Sequence, residues 1–88
     1  MPVSNDSVSV GTSVTSISSP SINPRLVYVQ DGDFDGDTAT YINGDSVTTS
    51  NGIKLSKTNT TVFQMNADDV LYAISDGATG SVRVTEVL

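Results

Sequence analysis

The chain has 88 residues, ten of them Asp or Glu against four Lys or Arg, with no Cys and no His. A chain of this length forms one domain with a small core; disulfides are excluded, and a ligand set of carboxylates, amides and carbonyls suits a hard cation such as calcium, not a transition metal. The net charge of −6 repels polyanions and excludes DNA and RNA as partners.

Ser, Thr, Val, Asn, Asp and Gly dominate the chain, while the helix formers Ala, Glu, Lys and Leu are scarce, so the elements expected are strands. Residues 1–22 form a distinct segment in which Val8, Val10, Val14 and Ile17 are spaced by Ser and Thr. Val8, Val10, Thr12 and Val14 keep strand period, but Ile17 falls out of phase and no aromatic residue anchors a core. This reads as an extended N-terminal arm. At ~3.3 Å per residue, about 22 residues reach ~70 Å, enough to clasp a neighbouring subunit; the alternatives are a loose terminus or an ordinary first strand. On the arm reading, the domain folds without residues 1–20.

Pro20 and Pro24 mark the hand-over to the compact part, residues 23–88. Arg25 to Gln30 is apolar on both faces, Leu26 and Tyr28 opposing Val27 and Val29, as expected of a strand between two layers. Thr38 to Asn43 follows. Asn43-Gly44-Asp45 and Asn51-Gly52 are turn signals around a short strand over Val47 to Ser50. Ile53 and Leu55 share a face, and Lys57-Thr58-Asn59 reverses the chain. Thr60 to Asn66 aligns Thr61, Phe63 and Met65; after the Asp68-Asp69 turn, Val70 to Ser75 aligns Val70, Tyr72 and Ile74. Asp76 to Gly80 is then the loop of a last hairpin whose return strand, Ser81 to Leu88, sets Val82 and Val84 against Arg83 and Thr85.

About seven to eight short strands with turns every ~8–12 residues predict an all-β fold, a small β-sandwich or barrel. The predicted core is Leu26, Tyr28, Val29, Tyr41, Ile42, Ile53, Leu55, Phe63, Met65, Val70, Tyr72, Ile74, Val82 and Val84. No apolar stretch approaches the ~20 residues of a membrane span. Met1 to Pro20 lacks the basic start and apolar run of a secretory signal, so the chain is expected to stay where it is made. With disulfides and zinc unavailable, self-association is the remaining source of extra burial.

The one local cluster that looks like a site is Asp31-Gly32-Asp33-Phe34-Asp35-Gly36-Asp37. Asp31, Asp33, Asp35 and Gly36 supply the opening half of the helix-loop-helix calcium motif; the closing bidentate Glu is replaced by Ile42, and neither flank is helical. Asp31, Asp33, Asp35 and Asp37 are therefore candidate calcium ligands, with a solvated turn as the other reading. Catalysis has no His, no Cys and no Ser or Thr in a nucleophile motif. A carboxylate pair from Asp31 to Asp37, or Asp68 with Asp69, has in principle the groups for acid-base work, but adjacent aspartates more often serve turns, so no enzyme is expected. Arg25 and Arg83, the two arginines, are candidate contacts for a partner's carboxylates, or else solvated charges on strand faces.

The second half carries Tyr41-Ile42-Asn43-Gly44-Asp45, the run Val47 to Leu55 (Val-Thr-Thr-Ser-Asn-Gly-Ile-Lys-Leu), Leu71-Tyr72-Ala73-Ile74-Ser75 and Val82-Arg83-Val84-Thr85-Glu86-Val87. Over residues 41–88 this resembles small tailed-phage virion proteins. The resemblance implies a capsid decoration or cement protein that sits on the capsid surface, binds the major capsid protein as a homo-oligomer, commonly a trimer, and braces the shell. The Asp31 to Asp37 loop and the serine-rich arm depart from the family pattern. The arm residues Val8, Val10, Val14 and Ile17, with Arg25 and Arg83, are then the expected partner contacts. The alternative is a head-fibre, tail or receptor-binding module that grips carbohydrate through loop aspartates, asparagines and tyrosines.

Overall fold

A computed structural model describes residues 3–18, 24–33, 36, 38–78 and 80–87. The strands are β1 (Val3–Val10), β2 (Thr15–Ser16), β3 (Arg25–Asp31), β4 (Thr40–Asn43), β5 (Ile53–Lys54), β6 (Thr61–Met65), β7 (Tyr72–Ser75) and β8 (Gly80–Val87). They form two four-stranded antiparallel sheets, ordered β1-β8-β3-β6 and β2-β7-β4-β5. The protein is a β-sandwich, with Val10, Ile17, Val27, Val29, Ile42, Leu55, Met65, Leu71, Ala73, Val82 and Val84 as the apolar layer between the sheets. Its radius of gyration, 12.1 Å, matches the ~12 Å that ~2.2·N^0.38 gives for a compact domain of this length.

The segment expected as an arm lies in both sheets. β1 pairs along its whole length with β8, from Val3 opposite Val87 to Val10 opposite Gly80, and β2 pairs with β7. Val10 and Ile17 are buried in the core and Val8 packs against it, while Val14 is exposed between the two strands. The phase break at Ile17 has a simple cause: the chain crosses from one sheet to the other over residues 11–14, and the inward parity restarts on the far side.

Crossing is the rule in this topology. Among the described strands only β4 and β5 follow one another within one sheet. The expected β7–β8 hairpin is therefore an arch between sheets. The expected strand over Val47 to Ser50 is instead a turn, held by Thr48 N–H donating to Asn51 Oδ1 (2.7 Å) and Gly52 N–H to the Thr48 carbonyl (2.9 Å). Val47 plugs the core beneath it.

Two strands depart from expectation. β3 turns Val27 and Val29 inward and leaves Leu26 exposed and Tyr28 half-buried on one open face, so it is not covered on both sides. β7 buries Ala73 and Ser75 behind buried Leu71, leaving Val70, Tyr72 and Ile74 half-buried. In β3 both parities are apolar and the smaller pair faces the space between the sheets, whereas β7 buries Ala73 and Ser75, the latter hydrogen-bonded through its hydroxyl to Thr40 Oγ1 (2.9 Å). Ile53, expected in the core, is half exposed at the β5 edge. Tyr41 and Phe63 are half-buried, whereas Val29, Ile42, Leu55, Met65, Val82 and Val84 lie in the core as expected.

Gly80 opens β8 where a side chain has no room, since a Cβ there would stand 2.6 Å from the Val10 carbonyl oxygen of β1 and 2.7 Å from Ser75 Cβ of β7. Close approach of three strands fixes glycine at this point.

Candidate functional site

The acidic loop starts from the end of β3, where strand parity aims Asp31 into the interior. Its carboxylate is 0% exposed; Oδ1 accepts the Asp33 N–H (2.8 Å) and Oδ2 lies 3.3 Å from Lys57 Nζ. The same ammonium donates to the carbonyls of Asp33 and Thr38, each at 2.7 Å. Three acceptors thus match the three N–H donors of one ammonium. Gln30 Nε2 donates to the Lys57 carbonyl (2.9 Å), and Asp31 N–H donates to the Ser56 carbonyl (3.1 Å), which hold the lysine segment against β3.

This cradle has the carboxylate and carbonyl chemistry anticipated for calcium, occupied by a cation from the chain itself. Of the four candidate ligands, Asp31 faces Lys57 and Asp33 contributes its backbone, while Asp35 and Asp37 lie outside the described residues. Among the described residues no three carboxylates converge. Asp68 and Asp69, the other candidate pair, belong to a turn in which Asp69 Oδ2 accepts the Asn66 N–H (3.0 Å) and Asp68 takes a left-handed φ of 68°. The sequence offered no signal for Lys57, whose partner stands 26 positions away.

The expected partner contacts separate into different environments. Arg25 is buried and committed within the chain: Nε donates to Glu86 Oε1 (2.8 Å) and Nη2 to the Asp69 carbonyl (2.8 Å), joining β3, β8 and the turn before β7. A guanidinium needs such a matched set of acceptors to be buried. Val10 and Ile17 are core residues, so their side chains are not available to a partner. Val8 is half-buried on β1, Val14 is exposed in the connection between β1 and β2, and Arg83 is exposed on β8 in the middle of the first sheet.

What the structure does assemble is a surface divided by charge. The exposed carboxylates Asp45, Asp68, Asp69 and Asp76 lie in turns at the ends of the strands. The outward faces of both sheets carry no acid among their described side chains. On the first sheet, Leu26 (39% exposed) and Val62 (49% exposed) flank Tyr28, with Val87 and Thr85 beside them in register. On the second, Tyr41, Tyr72 and Ile74 are half-buried next to exposed Lys54. A polar cleft of about 200 Å³ lies in the β4–β5 connection, lined by Asn43, Asp45, Ser46, Val47 and Asn51. Its amides already serve the loop: Asn43 Nδ2 donates to the Asn51 carbonyl (3.2 Å) and Asn51 Nδ2 to the Ser46 carbonyl (3.3 Å).

Compared with known proteins, the chain matches no family model, no curated protein and no solved structure.

Proposed function

We propose that this chain is a virion structural protein, a decoration or cement protein that binds the major capsid protein of a phage head as a homo-oligomer and sits on the capsid surface. The observation that carries the reading is that, in a chain of net charge −6, the outward faces of both sheets carry no acid among their described side chains. Faces bearing Leu26, Val62 and half-buried tyrosines suit attachment to protein surfaces, and the exposed carboxylates Asp45, Asp68, Asp69 and Asp76 in the turns suit repulsion of nucleic acid. The resemblance over residues 41–88 supplies the setting, and its motifs fall on β4, the turn over 44–52, β5, β7 and β8.

Attachment on this reading is passive. Several weak contacts made by linked copies become tight because later engagements are effectively intramolecular. The contacts are faces of the sandwich and not a free arm, since Val10 and Ile17 are buried. The fibre or tail alternative would depend on the polar cleft, whose asparagines are already hydrogen-bonded within their own loop. Quantitative mass spectrometry of purified particles tests the choice: copy numbers comparable to the major capsid protein support the cement role, a handful per particle assigns a fibre or tail component, and absence from particles refutes both.

A further inference from the structure

We infer that the outer face of the β1-β8-β3-β6 sheet is the surface on which two copies of this chain meet. The inference builds on the self-association in the reading above and names its surface and symmetry. Charge selects the faces first. Copies that met end to end would press the turn carboxylates Asp45, Asp68, Asp69 or Asp76 against one another, whereas the outward residues of this sheet include Arg83 and no described acid.

Area selects between the two faces. The first sheet has strands of eight, eight, seven and five residues, so at ~4.8 Å between strands and ~3.3 Å per residue it presents roughly 450 Å² in projection. Side-chain relief raises the accessible area above that projection, and two copies face to face bury on the order of 1,000 Å², the threshold for a specific interface. The second sheet, with strands of two, four, four and two residues, offers less than half as much. It remains open to another protein.

A face packed on its own copy meets it about a twofold axis, so the product is a weak reversible dimer and not the trimer that the resemblance implies. Leu26 and Val62 are its most exposed large apolar residues, on the β3–β6 side of the face, where Val62 stands opposite Tyr28 in register and Leu26 is two residues along from Tyr28.

Sedimentation velocity on the full chain, from ~1 μM to ~1 mM, should show a monomer–dimer equilibrium. Val62→Glu should raise its dissociation constant at least ~10-fold, since the new carboxylate is desolvated in the interface. Gln64→Glu, at an exposed residue of the same face, is the second variant should Val62→Glu fail to fold by circular dichroism. Ile53→Glu, exposed on the other sheet, should change nothing. A monomer at every concentration, or a dimer weakened by Ile53→Glu and not by the first-sheet variants, overturns the inference. Because the readout is in solution, either result leaves particle occupancy free to support or refute the virion role separately.

Discussion

Replacing Lys57 by Met removes the cation at the centre of the Asp31 cradle while keeping most of the side-chain volume. Asp31 is then a fully buried carboxylate with one backbone N–H for company, and the Asp33 and Thr38 carbonyls each lose a donor. Removing one partner of a buried ion pair costs ~3–5 kcal/mol. Because the Lys57 side chain is 29% exposed, water can replace part of what is lost, which places the expected cost near the lower end, at about 3 kcal/mol. For a domain of this length, whose whole stability is about 4–13 kcal/mol, that is a large fraction. Asp31→Asn should cost less, under about 2 kcal/mol, because the amide oxygen still accepts the Asp33 N–H and the ammonium keeps two carbonyls. The double variant should be more stable than the sum of the single losses by about 1 kcal/mol or more. Urea unfolding of the four proteins at constant m-value measures all three terms. A Lys57→Met cost below about 1 kcal/mol, additive with Asp31→Asn, would mean an ordinary surface pair and refute the reasoning.

Further outcomes follow from the same structure. Millimolar calcium or a chelator should leave the midpoint of thermal unfolding unchanged, because Lys57 Nζ already takes the Asp31, Asp33 and Thr38 oxygens; a calcium-dependent rise in Tm contradicts this. Gly80→Ala should destabilise by ~1–3 kcal/mol in chemical denaturation, through the clash of its Cβ with the Val10 carbonyl and Ser75. Asp68→Gly should stabilise by about 0.5–1 kcal/mol, since the left-handed φ of 68° is strain-free for glycine; a loss would show that the Asp68 side chain is needed in the turn. Deleting residues 1–10 should abolish cooperative unfolding, because it exposes the edge of β8 and takes Val10 out of the core; a fragment that melts cooperatively would restore the free arm.

The fold class was legible because residue types, not order, announce it: strand formers and turn residues dominate. The inward parity of β6 and β8 was also legible, since there one face is clearly the more apolar, as with Phe63 and Met65 against Gln64, or Val82 and Val84 against Arg83. β3 defeated the same logic because Leu26 and Tyr28 are as apolar as Val27 and Val29, and β7 because its buried Ser75 is satisfied only by Thr40, a partner 35 positions away. The arm carried its own clue in the displaced Ile17, which marks a change of sheet. The Asp-rich loop drew attention to Asp31 and Asp33, but Lys57 left no signal in the sequence, because it reaches Asp31 only through the folded chain.

The alternation of successive strands between the two layers has a kinetic meaning. Apart from β4 with β5, neither layer can assemble from neighbours in sequence, and β8 must arrive between β1 and β3 before the larger one is continuous. Such non-local pairing places folding in the slow, millisecond-to-second regime, with loop closure ahead of most of the gain. During synthesis β1 would wait without its mate until β8 has left the ribosome, a period in which its unpaired edges are open to wrong neighbours.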